Sequence, residues 1–238
     1  MHLAISLFLA VTCLFFGGQD AVRVNPKIVS VEYENDSIRV LRVKFAAHDR
    51  LEMHSHPSLI VVALTPNSRR IFQPDGTKKD AQATVGEVAW REPGAHAVEN
   101  LGDAFENIEI EFKKTPPPAQ PVASSGVDAK EPVAGETIPV EKEPHHHVLF
   151  RNQYVCVLDV QIPPGESLLF HKHSYDNLSI RLSGGLIQNQ MEGSDWPRPT
   201  EVTPGAVVFA EASKKPYTHR VKNLGTSVYH VVDVELLQ

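Results

Sequence analysis

One pattern of histidines occurs twice in this chain, and it constrains the fold more than any other feature. The first copy reads His54-Ser-His56, then Gly86, then Pro93-Gly-Ala-His96-Ala-Val-Glu-Asn100-Leu-Gly. The second reads His171-Lys-His173, then Gly205, then Pro216-Tyr-Thr-His219-Arg-Val-Lys-Asn223-Leu-Gly. On a β-strand, residues i and i+2 point to the same face. Two neutral imidazoles on one face, with a third from another strand, make three legs of a divalent-metal site. A lone His-x-His says little, but this whole order appearing twice marks an internal duplication. His54 and His171 lie 117 residues apart, Gly86 and Gly205 119, and His96 and His219 123, so the drift falls at the turns.

The rest of the chain suits that reading. Its 238 residues are enough for two small domains, and a charged content of 22% with 42% hydrophobic residues is ordinary for a soluble protein. A net charge of -6, with no basic stretch, argues against a nucleic-acid partner. Ile38–Phe45 and Ser58–Leu64 read as strands, Pro66-Asn67 and Pro74-Asp-Gly76 as turns, and no window has a helical period. Ile108-Glu-Ile-Glu-Phe112 alternates like a half-buried strand. Residues 113–144, with Pro116 to Pro118, Pro121, Pro132, Pro139 and Pro144, read as a linker, part of which can lie against a domain. The expected domains are therefore 22–112 and 145–238.

Residues 3–16 are almost wholly apolar and precede Gly17-Gly18, the length of a signal-peptide core and too short to span a membrane comfortably. We expect residues 1–21 to be a signal peptide, the protein to be exported (periplasmic or secreted), and the mature chain to have no membrane span. Lipid anchoring at Cys13 is not expected, because Thr12 fits a lipoprotein box poorly. Removal of the leader leaves Cys156 alone in an apolar run, a buried small hydrophobe rather than a disulfide partner or nucleophile.

On these residues each half resembles a cupin domain, whose pattern is G-x5-H-x-H-x3-4-E-x6-G and then G-x5-P-x-G-x2-H-x3-N. Gly86, Pro93, His96 and Asn100 match the second motif, and Gly165 with His171 and His173 opens the first. The resemblance covers nearly all of 25–112 and 145–238. It implies an all-β chain of two tandem cupin-type jelly-roll β-barrels joined by the Pro-rich linker. It also implies that His54, His56 and His96, and His171, His173 and His219, point at a divalent metal ion (Fe, Mn, Zn, Cu or Ni).

The departures from the pattern carry information. The family's Glu, four or five residues after the second His, is replaced by Ile60 or Val61 in the first copy and by Asn177 or Leu178 in the second. Without it, three neutral imidazoles leave a metal's charge uncompensated, so open positions favour an anionic chelating ligand. Oxalate oxidase chemistry, which leans on that carboxylate in the family, is disfavoured. Asn177, Ser179 and Arg181 share one face of their strand, and Leu178, Ile180 and Leu182 share the other. A half-buried sheet turns its apolar set inward, so the expectation is Asn177 at the surface. If the polar face lines the barrel instead, Asn177 becomes an additional ligand and Arg181 a clamp for an anionic substrate.

The sequence thus points to a metal-dependent enzyme of the oxygenase, isomerase or hydrolase kind acting on a small anionic or carbonyl compound. The alternative is a non-catalytic binding module with one or both sites degenerate. A purely structural scaffold is disfavoured by retention of all six histidines. The second copy, with Lys172, Ser174, Tyr175 and Asp176 near its His pair, is the expected working one. A homo-oligomer is compatible with the family. Glu92 and Glu211 are candidate bases only. His145-His146-His147 reads as an exposed or half-packed strand start, Asn100 and Asn223 as loop-stabilising residues, and Trp90 and Phe209 as core aromatics.

Overall fold

The computed structural model describes residues 19–114 and 137–237. Most of the expected signal segment lies outside the described residues. The first half holds β1 (Val29–Glu34), β2 (Ile38–Phe45), β3 (Arg50–His56), β4 (Leu59–Ala63), β5 (Asn67–Phe72), β6 (Lys78–Ala83), β7 (Val88–Arg91), β8 (Gly94–Asn100) and β9 (Phe105–Phe112). The second holds β10 (Ile138–Pro139), β11 (His146–Arg151), β12 (Val155–Ile162), β13 (His171–His173), β14 (Asp176–Arg181), β15 (Gly185–Met191), β16 (Thr200–Val202), β17 (Val207–Ala210), β18 (Tyr217–Asn223) and β19 (Tyr229–Leu236). One sheet of the first half runs β1-β2-β9-β4-β7 and the other β3-β8-β5-β6; the second half repeats both orders as β11-β12-β19-β14-β17 and β13-β18-β15-β16, with β10 added beside β13. Two β-barrels of one topology therefore stand in tandem. Among the described residues no helix is long and apolar enough to cross a membrane.

The repeat starts earlier than its composition suggests. Asp20 bridges Ser55 of β3 in parallel, and Ile138 and Pro139 pair in parallel with His171 and Lys172 of β13. Each of these segments leads into a single helical turn, Ala21–Val24 or Val140–Lys142. Residues 137–144, at the end of the Pro-rich stretch, thus form part of the second barrel. Their Pro and Glu content resembles a linker, yet a two-residue edge strand needs little more than backbone.

The two barrels are joined through the faces that carry their apolar alternation. Ile38, Val40, Ile60, Val62, Ile108, Ile110 and Phe112 of the first barrel form one buried cluster with Val155, Val157, Leu178, Ile180, Val232, Val234 and Leu236 of the second. Aromatic residues flank it across the junction: Tyr33 stacks on Phe209 at 4.5 Å, and Trp90 lies over Phe150 and Tyr154. Trp90 and Phe209 accordingly pack against the shared core. Burying an aliphatic side chain contributes about 1.5–3 kcal/mol, so this junction is a principal source of stability. It also corrects the expected orientation of β14. Leu178, Ile180 and Leu182 face the other barrel, and Asn177, Ser179 and Arg181 line the interior of their own. The apolar set is buried as expected, but against a neighbouring sheet.

The motif glycines sit at this junction. Gly86 has φ +79°, and a Cβ there would meet Leu182 Cδ1 at 2.8 Å. Gly205 has φ +78° and a carbonyl that accepts a hydrogen bond from Arg42 across the junction. Only glycine satisfies both the left-handed turn and the close approach. The Asn-Leu-Gly asparagines behave alike: Asn100 donates to Ala46 O and Asp103 O and accepts from Gly102 N, and Asn223 does the same with Ile162 O, Ser227 O and Gly225 N.

Because Ile110 is fully buried in this junction, Ile110→Ala should lower unfolding stability by about 2–4 kcal/mol, measured by urea denaturation with tryptophan fluorescence.

Candidate metal centre

Strand β13 presents His171 and His173 to the interior two residues apart, and β18, paired with it in register His171↔His219, supplies the third ring. His171 is 1% exposed and His173 2%. One ring nitrogen from each residue of this triad lies within 4.8 Å of the others, and among the described residues no other His, Cys, Asp or Glu group gathers three ligand atoms so closely.

The Nδ1 atoms are all engaged. His171 donates to Leu169 O (3.0 Å), His173 to Glu235 Oε1 (2.7 Å) and His219 to Asn189 Oδ1 (2.8 Å). With Nδ1 as donor, each neutral ring presents the Nε2 lone pair, the arrangement that orients a histidine ligand. The Nε2 atoms of His173 and His219 stand 3.1 Å apart. Two such lone pairs repel unless a cation lies between them. Nitrogens each about 2.1 Å from one ion, at tetrahedral or right angles, would be roughly 3.0–3.4 Å apart. The residues therefore fit a metal ion.

The surroundings reinforce this. Burial and the neighbouring imidazoles push His171 well below its ordinary pKa and His219 down to about 3, so both stay neutral and competent as ligands. Burial raises the Glu235 carboxyl, whose Oε2 is buried without a hydrogen-bond partner among the described residues. Asn177 occupies the place of the family's carboxylate. It accepts from Tyr217 O–H (3.2 Å), donates to Tyr175 O (3.1 Å) and lines a cavity of about 420 Å³ with Ser179, Arg181, Lys215 and Asp233.

Four residues of the site were not visible as such in the sequence. His146 is buried, not exposed, and its ring lies 4.7 Å from that of His171. Its Nδ1 donates to Glu143 Oε2 at 2.7 Å. Burial alone would raise Glu143, but the bond to His146 and those from Leu169 N and His145 N hold it below the ordinary carboxylate value. The acid pair Asp233 and Glu235 was also missed. Its signal was a second repeat, Ile-Glu-Ile-Glu-Phe112 and Val-Asp-Val-Glu-Leu236. The candidate bases lie elsewhere: Glu92 is exposed and accepts from Trp90 Nε1, and Glu211 is exposed and pairs with Lys214. Cys156 is buried, as expected.

The rings of the first triad are spaced much like those of the second, but their nitrogens do not gather as closely. The His96 ring lies 4.7 Å from His54 and 5.0 Å from His56, and those two direct Nδ1 to Glu52 O and Pro57 O. Burial, His54 and His56 lower His96 to about 3, with Arg91 and Arg69 adding to the effect. Leu59 and Val61 line this cavity where the second barrel has Asn177 and Ser179. Glu109 faces it, raised by burial and by Glu111 to about 7.

Neither a protein-family model nor a curated protein matches the sequence. Solved structures do match the fold. AerE from Microcystis aeruginosa superposes with a TM-score of 0.60 at 13% identity, over 89% of this chain and 98% of that one. A cupin 2 conserved barrel domain protein from Leptotrichia buccalis gives 0.53 at 16%, over 88% of each chain. An oxalate decarboxylase from Lactobacillus farciminis, in a formate complex, gives 0.54 at 14%, over 87% and 83%. The tandem jelly-roll arrangement is the bicupin fold, and the chain carries within it a histidine triad able to hold a metal.

Two outcomes follow. Glu235→Gln, which weakens the anchor of His173, should lower metal affinity by about 10–100-fold, read by competition with a chromogenic chelator. Metal-stripped protein should lose stability as the pH falls below about 6.5. His54, His56, His96, His171 and His219 all titrate lower folded than unfolded, so the unfolded chain binds more protons there. The slope is about 1.4 kcal/mol per pH unit for each group. Glu109, Glu111 and Glu235, raised by burial, act with the opposite sign above about 4.5 and offset part of it. Urea midpoints from pH 8 to pH 5 test the net fall.

Proposed function

We propose that the second barrel is a divalent-metal site that acts on a small anionic or carbonyl compound. The observation that carries this reading is the convergence of one ring nitrogen from each of three imidazoles whose Nδ1 partners are all fixed. A divalent ion bound there supplies Lewis acidity toward a carbonyl or carboxylate oxygen. The protein's own groups do the rest. Arg181 and Lys215 on the cavity wall attract and orient an anionic group. The Tyr217 hydroxyl, held un-ionised by burial, and the Asn177 amide form a polar wall that limits how a ligand lies. Glu143 fixes the His146 ring beside His171, placing a fourth imidazole at the edge of the same cavity.

This chemistry suits an oxygenase, isomerase or hydrolase, with Fe, Mn, Zn, Cu or Ni as the candidate ion. A small carboxylate is a reasonable substrate class for a cavity of this charge, and one protein sharing the fold is an oxalate decarboxylase with formate bound. Ligand binding without turnover is the second reading, favoured in the first barrel by its smaller, closed cavity. The apolar segment at residues 3–16 supports export of the mature chain.

Metal content by plasma mass spectrometry, on untagged protein purified without chelators, tests this. Wild type should carry close to one ion per chain, retained in His54→Ala and lost in His171→Ala. No metal in wild type after reconstitution overturns the reading.

A further inference from the structure

The two barrels have diverged at equivalent interior positions. Arg69 of β5 pairs with Asn100, and Ile187 of β15 pairs with Asn223, so the register makes Arg69 and Ile187 counterparts. By the same reasoning Arg91 of β7 corresponds to Ala210 of β17, and Leu59 to Asn177. The first barrel has thus gained two guanidinium groups where the second is apolar, and it lacks the amide that lines the second.

Arg69 and Arg91 line one enclosed cavity of about 50 Å³ together with His96, Asn107 and Glu109. Arg70, the next residue on β5, instead pairs with Asp80 at the surface. The Nη1 of Arg69 bonds Asn67, and no carboxylate among the described residues pairs with either Arg69 or Arg91. The Glu109 side chain makes no hydrogen bond among the described residues. Glu109 and Glu87 act on Arg69 only through space, so both guanidinium groups keep donors free for a ligand. The three imidazoles here do not gather their nitrogens as the second triad does.

We infer that the first barrel is a binding site for a small monoanionic carboxylate, held by Arg69 and Arg91. Guanidinium groups match a carboxylate through paired N–H donors. A cavity of about 50 Å³, at roughly 10–15 Å³ for each water-sized occupant, takes three to five heavy atoms, the size of formate or acetate. His56 lines both this cavity and an open cleft beside Pro57 and Pro93, which gives a ligand a route inward.

Isothermal titration calorimetry of the full chain with sodium formate and sodium acetate, at constant ionic strength set by chloride, tests this. In His171→Ala, which removes binding at the second barrel's metal, one saturable site is expected to remain, and Arg69→Gln or Arg91→Gln weakens that site at least tenfold. Circular dichroism establishes that each variant is folded; Arg91, being exposed at one end, is the safer of the two arginine substitutions. Absence of saturable binding overturns the proposal. So does binding unchanged in folded arginine variants, or binding lost in His171→Ala, which would move the site to the second barrel. A second metal ion per chain that is lost in His96→Ala would make the first barrel a metal site and overturn it as well.

Discussion

Apolar contact between the two barrels is the interaction on which the rest of the structure depends. Each half alone would expose a sheet face of Ile and Val side chains and would have to turn that face inward to bury it. Duplication supplies another solution, because each sheet covers the other's outer face. The interiors are thereby released from providing all the apolar burial. They can hold histidines, carboxylates and arginines, whose desolvation is tolerable only with partners or ligands.

That freedom has been used differently in the two halves. In the second, three imidazoles are each tethered through Nδ1 to a different acceptor: a backbone carbonyl, a carboxylate and an amide. The tethers fix tautomer and ring orientation together, so the lone pairs converge before any ion arrives. His146 and Glu143 extend this polar network to the segment leading into the barrel. In the first half the histidines persist, but Arg69 and Arg91 change the charge of the space they face. The same fold and nearly the same motif thus line the two interiors with different charged groups.

Much of this could be read from the chain. The His-x-His spacing required two rings on one strand face, and the drift of 117, 119 and 123 residues located the turns. The orientation of Asn177, Ser179 and Arg181 could not be read in the same way. Alternation separates two faces but does not say which one meets the barrel interior when both are buried. The same ambiguity hid Glu109, Asp233 and Glu235, whose alternation looked like a solvent face. His146 and Glu143 were hidden for another reason: they sit in Pro-rich and His-rich sequence whose composition is that of an exposed connection.

The amino-acid sequence by itself determined a duplicated all-β chain, the strands carrying its six motif histidines, and the asparagines that close its loops. These follow from local spacing and turn chemistry, which act over a few residues. Only the tertiary structure decided which face of each sheet looks inward, which triad converges tightly, and where the arginines and buried acids meet. Those outcomes depend on what lies opposite each strand, and that is set by pairing between strands sixty or more residues apart and by packing of one barrel on the other.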